Sequence, residues 1–396
     1  MPGQSQNRPA EAIQPGYSWS VVLFCITNFL FWASLYVYMP ILSVHAQSLG
    51  ASLSMVGLIV ASYSIPQLIL RIPIGILFDA STKRKLLIDI EIVLALLGAV
   101  WLAAATTPGQ LFMARALTGV GAAGWVIFSV YFTSYYLPEG LRKAIGLLNF
   151  VQGMALVVAT LGGGFIAESL GSQWAFLTAA AMGVIGLVPL LLGKQPPVVR
   201  AVPFTWGGFR AVASSRPLLA VSLLGILAQF ANWAGLFGFI PVYAAEIGAS
   251  KADLGIITVV SLGFSAIASL GAAWMLRRFG NSGAVLIASL LLGFSIIVVP
   301  AIHSVPLLQG MMVFNGLGRG LTQTIFMTIS VWAVAPQNRA TAMGVYQASY
   351  AVGMVAGPLI SGFAADALGL SAVFYLSAAI CGVMAVLAWL PALRQR

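Results

Sequence analysis

The chain carries one fifteen-residue pattern twice. Residues 162–176 read GGGFIAESLGSQWAF, and residues 360–374, which begin 198 positions later, read ISGFAADALGLSAVF. In this register Glu168 lies over Asp366, and glycines and phenylalanines coincide on both sides of that acidic pair. A repeat of this length at this distance predicts that the chain is one structural unit used twice.

Other stretches repeat at nearly the same offset. The pair Gly119 and Gly121 recurs 197 positions later, and NFLFWASLYVYMP from Asn28 matches QFANWAGLFGFIP from Gln229 at a shift of 201. Parallel halves related by an axis along the membrane normal are one of the two repeat types of secondary transporters. The repeat therefore predicts two six-helix halves with the same orientation.

The composition places the chain in a membrane. Sixty per cent of its 396 residues are hydrophobic and 7% are charged, against about 25% charged in an ordinary soluble domain. No soluble fold buries that much apolar surface, so the composition excludes a water-soluble enzyme or binding module. The two cysteines, Cys25 and Cys381, lie near opposite ends of the chain and cannot build a disulfide framework or a metal centre.

Twelve apolar runs are long enough to cross a bilayer, which takes about 20 residues in a helix. The runs are nearly unbroken, unlike the alternating strands of a barrel, so helices are the spanning structure. We predict an all-α membrane protein of twelve transmembrane helices in two six-helix, pseudo-symmetric halves. The predicted spans are 18–44, 53–77, 86–106, 109–133, 143–168, 173–193, 218–245, 252–276, 282–303, 306–333, 341–366 and 371–391.

The spans divide the chain into five parts. These are an N-terminal tail (1–17), an N-terminal bundle (18–193), a proline-rich basic linker (194–217), a C-terminal bundle (218–391) and a C-terminal tail (392–396). The first tail lacks the pattern of a cleaved signal peptide, so we expect it to remain as a disordered cytoplasmic segment.

The loop charges predict the orientation. If both termini lie on one side, that side collects nearly all the lysines and arginines of the loops, and the other side keeps only Lys251. This excess predicts cytoplasmic termini in a bacterial inner (cell) membrane. The net charge of +10 then faces anionic lipid headgroups, and nucleic acid is not expected as a partner.

Four motifs make the chain similar to a known family. They are GILFDASTKRK from Gly75, RALTGVGAA from Arg115, ATLGGG from Ala159 and GPLISG from Gly357. Through them the chain resembles the major facilitator superfamily over essentially its whole length, and within it the drug/proton antiporter-like branch, although Ala159 and Thr160 replace that branch's Gly-Pro pair. The residues that carry the resemblance are Gly75, Asp79, Lys83, Arg84, Arg115, Gly119, Gly121 and, before the eleventh span, Arg339.

The resemblance implies a carrier with two rocking halves. Its central cavity opens to each side in turn and is lined mainly by spans one, four, seven and ten. The motif residues have gating or structural roles in this interpretation. The substrate is a small molecule, protons and membrane lipids are the other partners, no cofactor or metal is needed, and the protein is a monomer.

Two arginines inside spans are the leading substrate-binding candidates. Arg115 and Arg319 lie at depths where a charge costs about 2.5–3.5 kcal/mol at the helix centre, and no acidic residue lies at similar depth. Because arginine binds carboxylate and phosphate bidentately, this cavity favours an anionic or zwitterionic ligand. The alternative for Arg115 is a structural contact with the first helix.

Amide and aromatic side chains complete the predicted pocket. Asn28, Trp32 and Tyr36 share one helix face, and the seventh span repeats the pattern. The further candidates are Gln229, Asn232, Trp233, Gln323, Gln152, Tyr346 and Tyr350. The alternative for these aromatics is ordinary packing or anchoring at the membrane interface. The titrating groups available for proton coupling are Asp79, Asp89 and Glu91.

These observations predict a secondary active transporter that exports a small anionic or zwitterionic organic molecule in a proton-coupled, alternating-access cycle. Two alternatives within transport are a proton-coupled importer or exchanger of an organic anion and a transporter of a lipid-linked substrate. An enzyme is not expected, since the spans contain no paired carboxylates, no serine–histidine pair and no metal set. The sequence contains no phosphate-binding GxxxxGK[ST] loop, which disfavours ATP-driven transport by this chain. The two matching halves disfavour a channel.

Overall fold

The computed structural model describes residues 13–196, 210, 212–332, 334 and 339–391. The side chains of residues 72, 79, 80, 126, 142 and 340 lie outside this description. The predicted tails and most of the predicted linker lie outside it as well, so the five-part division stays a prediction. The described residues are helical apart from short turns and one isolated β-bridge between Ile13 and Tyr136.

The N-terminal half contains nine helices. They are α1 (Ser18–Tyr36), α2 (Met39–Ser48), α3 (Leu53–Ser62), α4 (Ser64–Ala80), α5 (Arg84–Ala104), α6 (Pro108–Ala122), α7 (Trp125–Thr133), α8 (Leu141–Ser169) and α9 (Ser172–Leu192). Three predicted spans are each built from two of these helices in line, α1 with α2, α3 with α4 and α6 with α7. The half therefore has the six predicted crossings.

In the described part of the C-terminal half, the crossings are built from six α-helices and a π-helical segment. They are α10 (Arg216–Asn232), the π segment (Trp233–Phe239), α11 (Ile240–Glu246), α12 (Lys251–Ile297), α13 (Val305–Trp332), α14 (Arg339–Leu368) and α15 (Ser371–Leu387). The 47-residue α12 is too long for one crossing, because about 20 residues span the bilayer. It bends back at Gly280, whose φ of 65° and ψ of 179° are not helical. The eighth and ninth predicted spans meet at this bend.

The predicted fold class is confirmed: the chain is an all-α membrane protein of the twelve-helix type. Nine segments of the described chain are long and apolar enough to cross a membrane, and one of them, 251–301, contains the two crossings joined at Gly280. The helix α13 and the shorter apolar α15 supply the remaining two.

The repeated glycines have the same packing role in both halves. A Cβ on Gly119 would overlap the carbonyl oxygen of Tyr63, and one on Gly316 would overlap that of Ser261. Each glycine thus lets the fourth crossing of its half lie directly against the second. Gly171 and Gly369 repeat another feature, because both have positive φ, 101° and 88°, at the turn before the last helix of their half.

Candidate functional site

Four crossings are interrupted near their middle, and the interruptions face one another. The first breaks at Val37–Tyr38, the second at Tyr63 and the fourth at Ala123–Gly124, while the seventh changes to the π segment. Interrupted helices at the midplane are where secondary transporters build their binding sites, and π-helical turns are frequent at functional sites. The sequence analysis treated each of these spans as continuous.

A continuous row of aromatic rings, which we call the aromatic wall, crosses this region. It consists of Trp125, Trp32, Tyr36, Phe237, Trp233 and Tyr63, in that order. Neighbouring ring centroids are 5.1 to 6.0 Å apart, the spacing of favourable aromatic pairs. The Tyr36–Phe237 contact, at 5.9 Å, joins the two halves.

Arg319 lies against the aromatic wall. Its guanidinium carbon is 5.6 Å from the ring centroid of Phe237, a cation–π distance. The side chain is partly exposed, and no hydrogen bond or ion pair joins its guanidinium to the described residues. An arginine held in this way can bind a carboxylate or phosphate with both arms.

Arg115 is in a different situation. The side chain is 1% exposed; it donates to the hydroxyl of Tyr38 (2.6 Å) and that of Thr118 (3.3 Å), and it contacts the sulfur of Met39 (2.8 Å). Its guanidinium carbon lies 4.0 Å from the ring centroid of Tyr63. These contacts occupy most of the guanidinium and join the first, second and fourth crossings. The geometry thus favours the structural alternative for Arg115 over ligand contact.

The predicted amide side chains also differ in exposure and in hydrogen bonding, as the two arginines do. Gln229 donates to the side-chain oxygen of Gln323 at 2.9 Å, and Gln323 is partly exposed. Asn28 is fully buried and donates to the carbonyl of Leu148 at 3.4 Å. The side-chain oxygens of Asn28 and Asn232 and the indole nitrogen of Trp32 are buried without a hydrogen-bond partner. Such groups are usually satisfied, so they are potential partners for a polar ligand or for water.

A second polar group lies between the second and eleventh crossings. Arg71 donates to the side-chain oxygen of Gln67 at 2.9 Å and to the backbone carbonyl of Gln347 at 3.4 Å. The side-chain oxygen of Gln347 is buried and without a partner. Near it, Tyr346 is buried and Tyr350, with its ring centroid 5.4 Å away, is partly exposed. Gln152, on α8, is also partly exposed.

One end of the space between the halves is closed. We call this end the opposite face; it carries the turns 49–52 and 247–250. The carboxylate of Asp366 accepts hydrogen bonds from the backbone N–H groups of Leu53 and Ser54 (3.0 and 2.9 Å), and Glu168 accepts one from that of Lys251 (2.8 Å). Each carboxylate thus caps the first turn of a helix in the other half, which the helix dipole favours. The two caps are equivalent under the repeat.

Glycines bring the backbones together beside these caps. A Cβ on Gly57 would overlap the carbonyl of Pro358, and one on Gly255 would lie 2.9 Å from the carbonyl oxygen of Thr160. The partner positions are also glycine, Gly362 and Gly164. The second crossing therefore packs on the eleventh, and the fifth on the eighth, without intervening side chains.

The other end, the basic face, carries Lys83–Lys85, the turn Pro138–Gly140 and the end of α9. Here a Cβ on Gly75 or Gly344 would meet nothing within 4 Å. At these two positions no described atom of the other half packs against the glycine, whereas deeper in the interface Arg71 still contacts the backbone carbonyl of Gln347.

The other motif residues line the basic face. Lys83 and Arg339 are exposed, whereas Arg84 is buried, with its guanidinium carbon 4.9 Å from the ring centroid of Phe78. The side chain of Asp79 lies outside the described part of the structure. A Cβ on Gly121 would lie 2.6 Å from the backbone oxygen of Glu91, so this glycine packs the fourth crossing on the third.

The remaining proton-coupling candidates differ in burial. Asp89 is partly exposed, with one carboxylate oxygen buried and unpartnered. Glu91 is 4% exposed, and neither of its carboxyl oxygens has a hydrogen-bond partner. In the described part of the chain, no three His, Cys, Asp or Glu side chains group in a way that could hold a metal ion.

Known proteins resemble the chain over nearly its whole length. The family model described as Major Facilitator Superfamily matches residues 24–246 and again 222–396. The purine ribonucleoside efflux pump NepI of Escherichia coli (strain K12) is 26% identical over 397 aligned residues, covering 97% of this chain and 96% of that protein. An MFS-type transporter of Methanocaldococcus jannaschii is 19% identical, covering 94% of this chain and 97% of that protein.

Solved structures share the fold. A bacterial homologue of the human lysosomal transporter Spinster superposes with a TM-score of 0.81 at 16% identity, covering 96% of this chain and 97% of that one. The nucleoside transporter NupG superposes with a TM-score of 0.74 at 16% identity, covering 93% of this chain and 97% of that one.

Proposed function

The chain belongs to the Major Facilitator Superfamily, and on that premise we propose that it exports a small organic anion or zwitterion in exchange for protons. Membership makes the chain a multi-pass membrane protein and a secondary transporter of small molecules. The direction of transport, the coupling ion and the chemical class of the substrate are our proposals.

The partly exposed guanidinium of Arg319 carries the substrate proposal. It has no carboxylate partner among the described residues, so a ligand anion is the complement that the cavity lacks. The rings beside it, Phe237 and Tyr36, offer an apolar surface for the rest of the ligand. We therefore propose a ligand that combines a flat ring with an acidic group. Gln229, Gln323 and the buried amide oxygens would bind its polar substituents.

Export is supported by the relative NepI, which is named as an efflux pump, and the conformation of the chain is compatible with it. We propose that the basic face is cytoplasmic, as the positive-inside rule predicts. The described backbone contacts and helix caps between the halves lie at the opposite face, so we propose that cargo from the cytoplasm loads through the basic face in this conformation. Closure of the basic face and release of the opposite-face caps would then deliver the cargo outside, by alternating access.

An uncharged nucleoside is the second candidate. NepI is named as an efflux pump for purine ribonucleosides, and a purine ring suits the aromatic wall as well as the ring of an anion does. In this alternative the amides supply the specificity, and Arg319 donates hydrogen bonds to neutral oxygens.

A matched pair of probes separates the two candidates. Purified protein in proteoliposomes with an imposed pH gradient is assayed with adenosine and with adenosine 5′-monophosphate, which share the ring. We expect saturable transport of the monophosphate. Arg319→Gln should lower its apparent affinity roughly ten- to hundredfold, because a hydrogen bond to a charged group is worth about 1.5–3 kcal/mol.

Adenosine is the internal control, since its transport should be weak and indifferent to Arg319→Gln. Saturable adenosine transport with no uptake of the monophosphate would overturn the anion proposal and favour the nucleoside alternative. A rate of transport that is the same with and without the pH gradient would overturn the proposal of proton coupling. Accumulation driven only in the inward direction would favour the importer or exchanger alternative.

A further inference from the structure

A carboxyl group lies buried at the break in the fourth crossing. Glu91, on α5, is 4% exposed, and both of its carboxyl oxygens lack a hydrogen-bond partner. The break consists of Ala123 and Gly124, and Gly124 is the residue that precedes the first turn of α7. A Cβ on Gly124 would occupy the space of the Glu91 carboxyl group. The glycine therefore makes room for this side chain.

Among the described residues, no cationic side chain hydrogen-bonds this carboxyl group. The charged or titratable side chains on the helices packed against α5 are Arg115 on α6, Tyr131 on α7, and Cys25 and Tyr36 on α1, while α9 has none. Those on α5 itself are Arg84, Lys85 and Asp89. None of them hydrogen-bonds Glu91, whose oxygens are unpartnered. An isolated carboxylate in such a place is strongly unfavourable, so this environment favours the neutral, protonated carboxyl group.

The same site offers a place for the negative charge. The carboxyl group points at the N-terminal end of the nine-residue α7, where backbone N–H groups and the helix dipole favour an anion. In a second position of the break, these N–H groups would donate hydrogen bonds to the ionised carboxylate. The residue can thus be neutral in one position of the break and ionised in another.

The break also belongs to the aromatic wall. Trp125, the residue after Gly124, has its ring centroid 5.1 Å from that of Trp32. Movement at Gly124 therefore changes the surface against which we place the cargo. A proton on Glu91 and a cargo molecule on the wall would act on the same two-residue hinge from opposite sides.

We propose that Glu91 is the proton-carrying group of the transport cycle and that it communicates with the cargo site through the Ala123–Gly124 hinge, which Trp125 directly follows. This inference rests on the proposed proton-coupled transport. In the proposed cycle, cargo binding moves the hinge. The Glu91 O–H bond then breaks, and the proton leaves to water at the basic face. The resulting carboxylate accepts hydrogen bonds from the backbone N–H groups of the first turn of α7. Reprotonation from the opposite side resets the hinge.

The test measures two quantities in proteoliposomes: accumulation of the probe driven by a pH gradient, and exchange of the probe at equal pH. The proteins compared are the wild type, Glu91→Gln, Asp89→Asn and Glu139→Gln. The probe is adenosine 5′-monophosphate, or adenosine if the preceding experiment identifies adenosine as the ligand. Glu139 lies exposed in the turn Pro138–Gly140 and is the control for loss of one carboxylate. A gradient of one pH unit supports at most about tenfold accumulation per proton exchanged. We expect Glu91→Gln to abolish accumulation, because its side chain cannot release a proton, while exchange at equal pH continues.

Three results would overturn the inference. The first is wild-type accumulation by Glu91→Gln. The second is loss of coupling in Asp89→Asn alone. The third, which needs no transport, is an infrared spectrum of the purified wild type whose protonated-carboxyl C=O band is unchanged in Glu91→Gln. If the wild type itself does not respond to the gradient, proton coupling as a whole fails, and that outcome is distinct from the other three.

Discussion

The two ends of the interface between the halves contain the same kinds of residues but pack differently. At the opposite face, Gly57 and Gly255 lie against backbone of the other half, and two carboxylates cap helices across the interface. At the basic face, Gly75 has open space where a Cβ would be. Glycine permits a close approach of helices but does not enforce it. We therefore interpret a glycine motif as a place where helices meet in at least one conformation of the transport cycle.

The largest expected effect comes from filling the closed end. In Gly255→Leu, even the first added carbon would lie 2.9 Å from the carbonyl oxygen of Thr160. Overpacking costs about 1–3 kcal/mol, so the population of the observed conformation should fall roughly five- to 150-fold. The rate of transport in proteoliposomes should fall with it, because the cycle passes through this state.

The matched control is Gly263→Leu on the same helix, where an added Cβ meets nothing within 4 Å. Transport should stay near the wild-type rate in this variant. Equal losses in both variants would mean that leucine disturbs α12 itself, and the contrast between the two ends would not explain the result.

A smaller effect is expected from neutralising the caps. Glu168→Gln and Asp366→Asn remove a charge from an exposed helix terminus, so each should shift the balance between the two conformations about two- to fivefold (~0.4–1 kcal/mol). Spin labels at Ser48 and Ser304, both exposed near the opposite face, should report longer distances in each variant and the longest in the double variant. Shifts that do not add would show that the two caps are not independent.

The smallest effect on the observed state is expected at Gly75. Gly75→Ala should leave the affinity for cargo within about twofold of the wild type, because surface changes without contacts usually alter stability by less than ~0.5 kcal/mol. Turnover should slow, because closing the basic face would bring a second helix to this position. Weaker cargo binding at an unchanged turnover rate would instead mean that Gly75 already shapes the cavity.

Much of the fold is readable from the sequence because it depends on local composition and on the repeat. Unbroken apolar runs must be helices in lipid, and equal offsets must place equivalent residues alike. The pairing of Gly119 with the glycine 197 positions later is confirmed by their identical packing. Glu168 and Asp366 were recognised as equivalent, but their function as caps was not, because each bond partner lies in the other half.

The candidate site was only partly predictable. Arg319 and the tryptophans of the first and seventh crossings were identified because charge and bulk inside a span have few structural explanations. The helix breaks were missed, since Pro40, Pro241 and Gly124 are compatible with a continuous transmembrane helix. The sequence does not distinguish Glu91 from Asp89 as a proton-coupling candidate. The two residues are two positions apart on one helix and therefore lie on different faces, and the structure shows that Glu91 is the more buried of the two.

The sequence by itself determined the number of crossings, the duplication, the glycine positions and the presence of two arginines inside the spans. These follow from hydrophobicity, periodicity and identity, which are properties of a one-dimensional string. Its expectation that no acidic residue lies deep is wrong for Glu91, which is buried at the break in the fourth crossing. Only the tertiary structure decided which end of the interface is closed, which arginine is hydrogen-bonded within the protein and which carboxyl group is buried without a partner at a helix break. Those outcomes depend on backbone contacts between segments far apart in the chain, and hydrophobicity and periodicity do not encode such contacts.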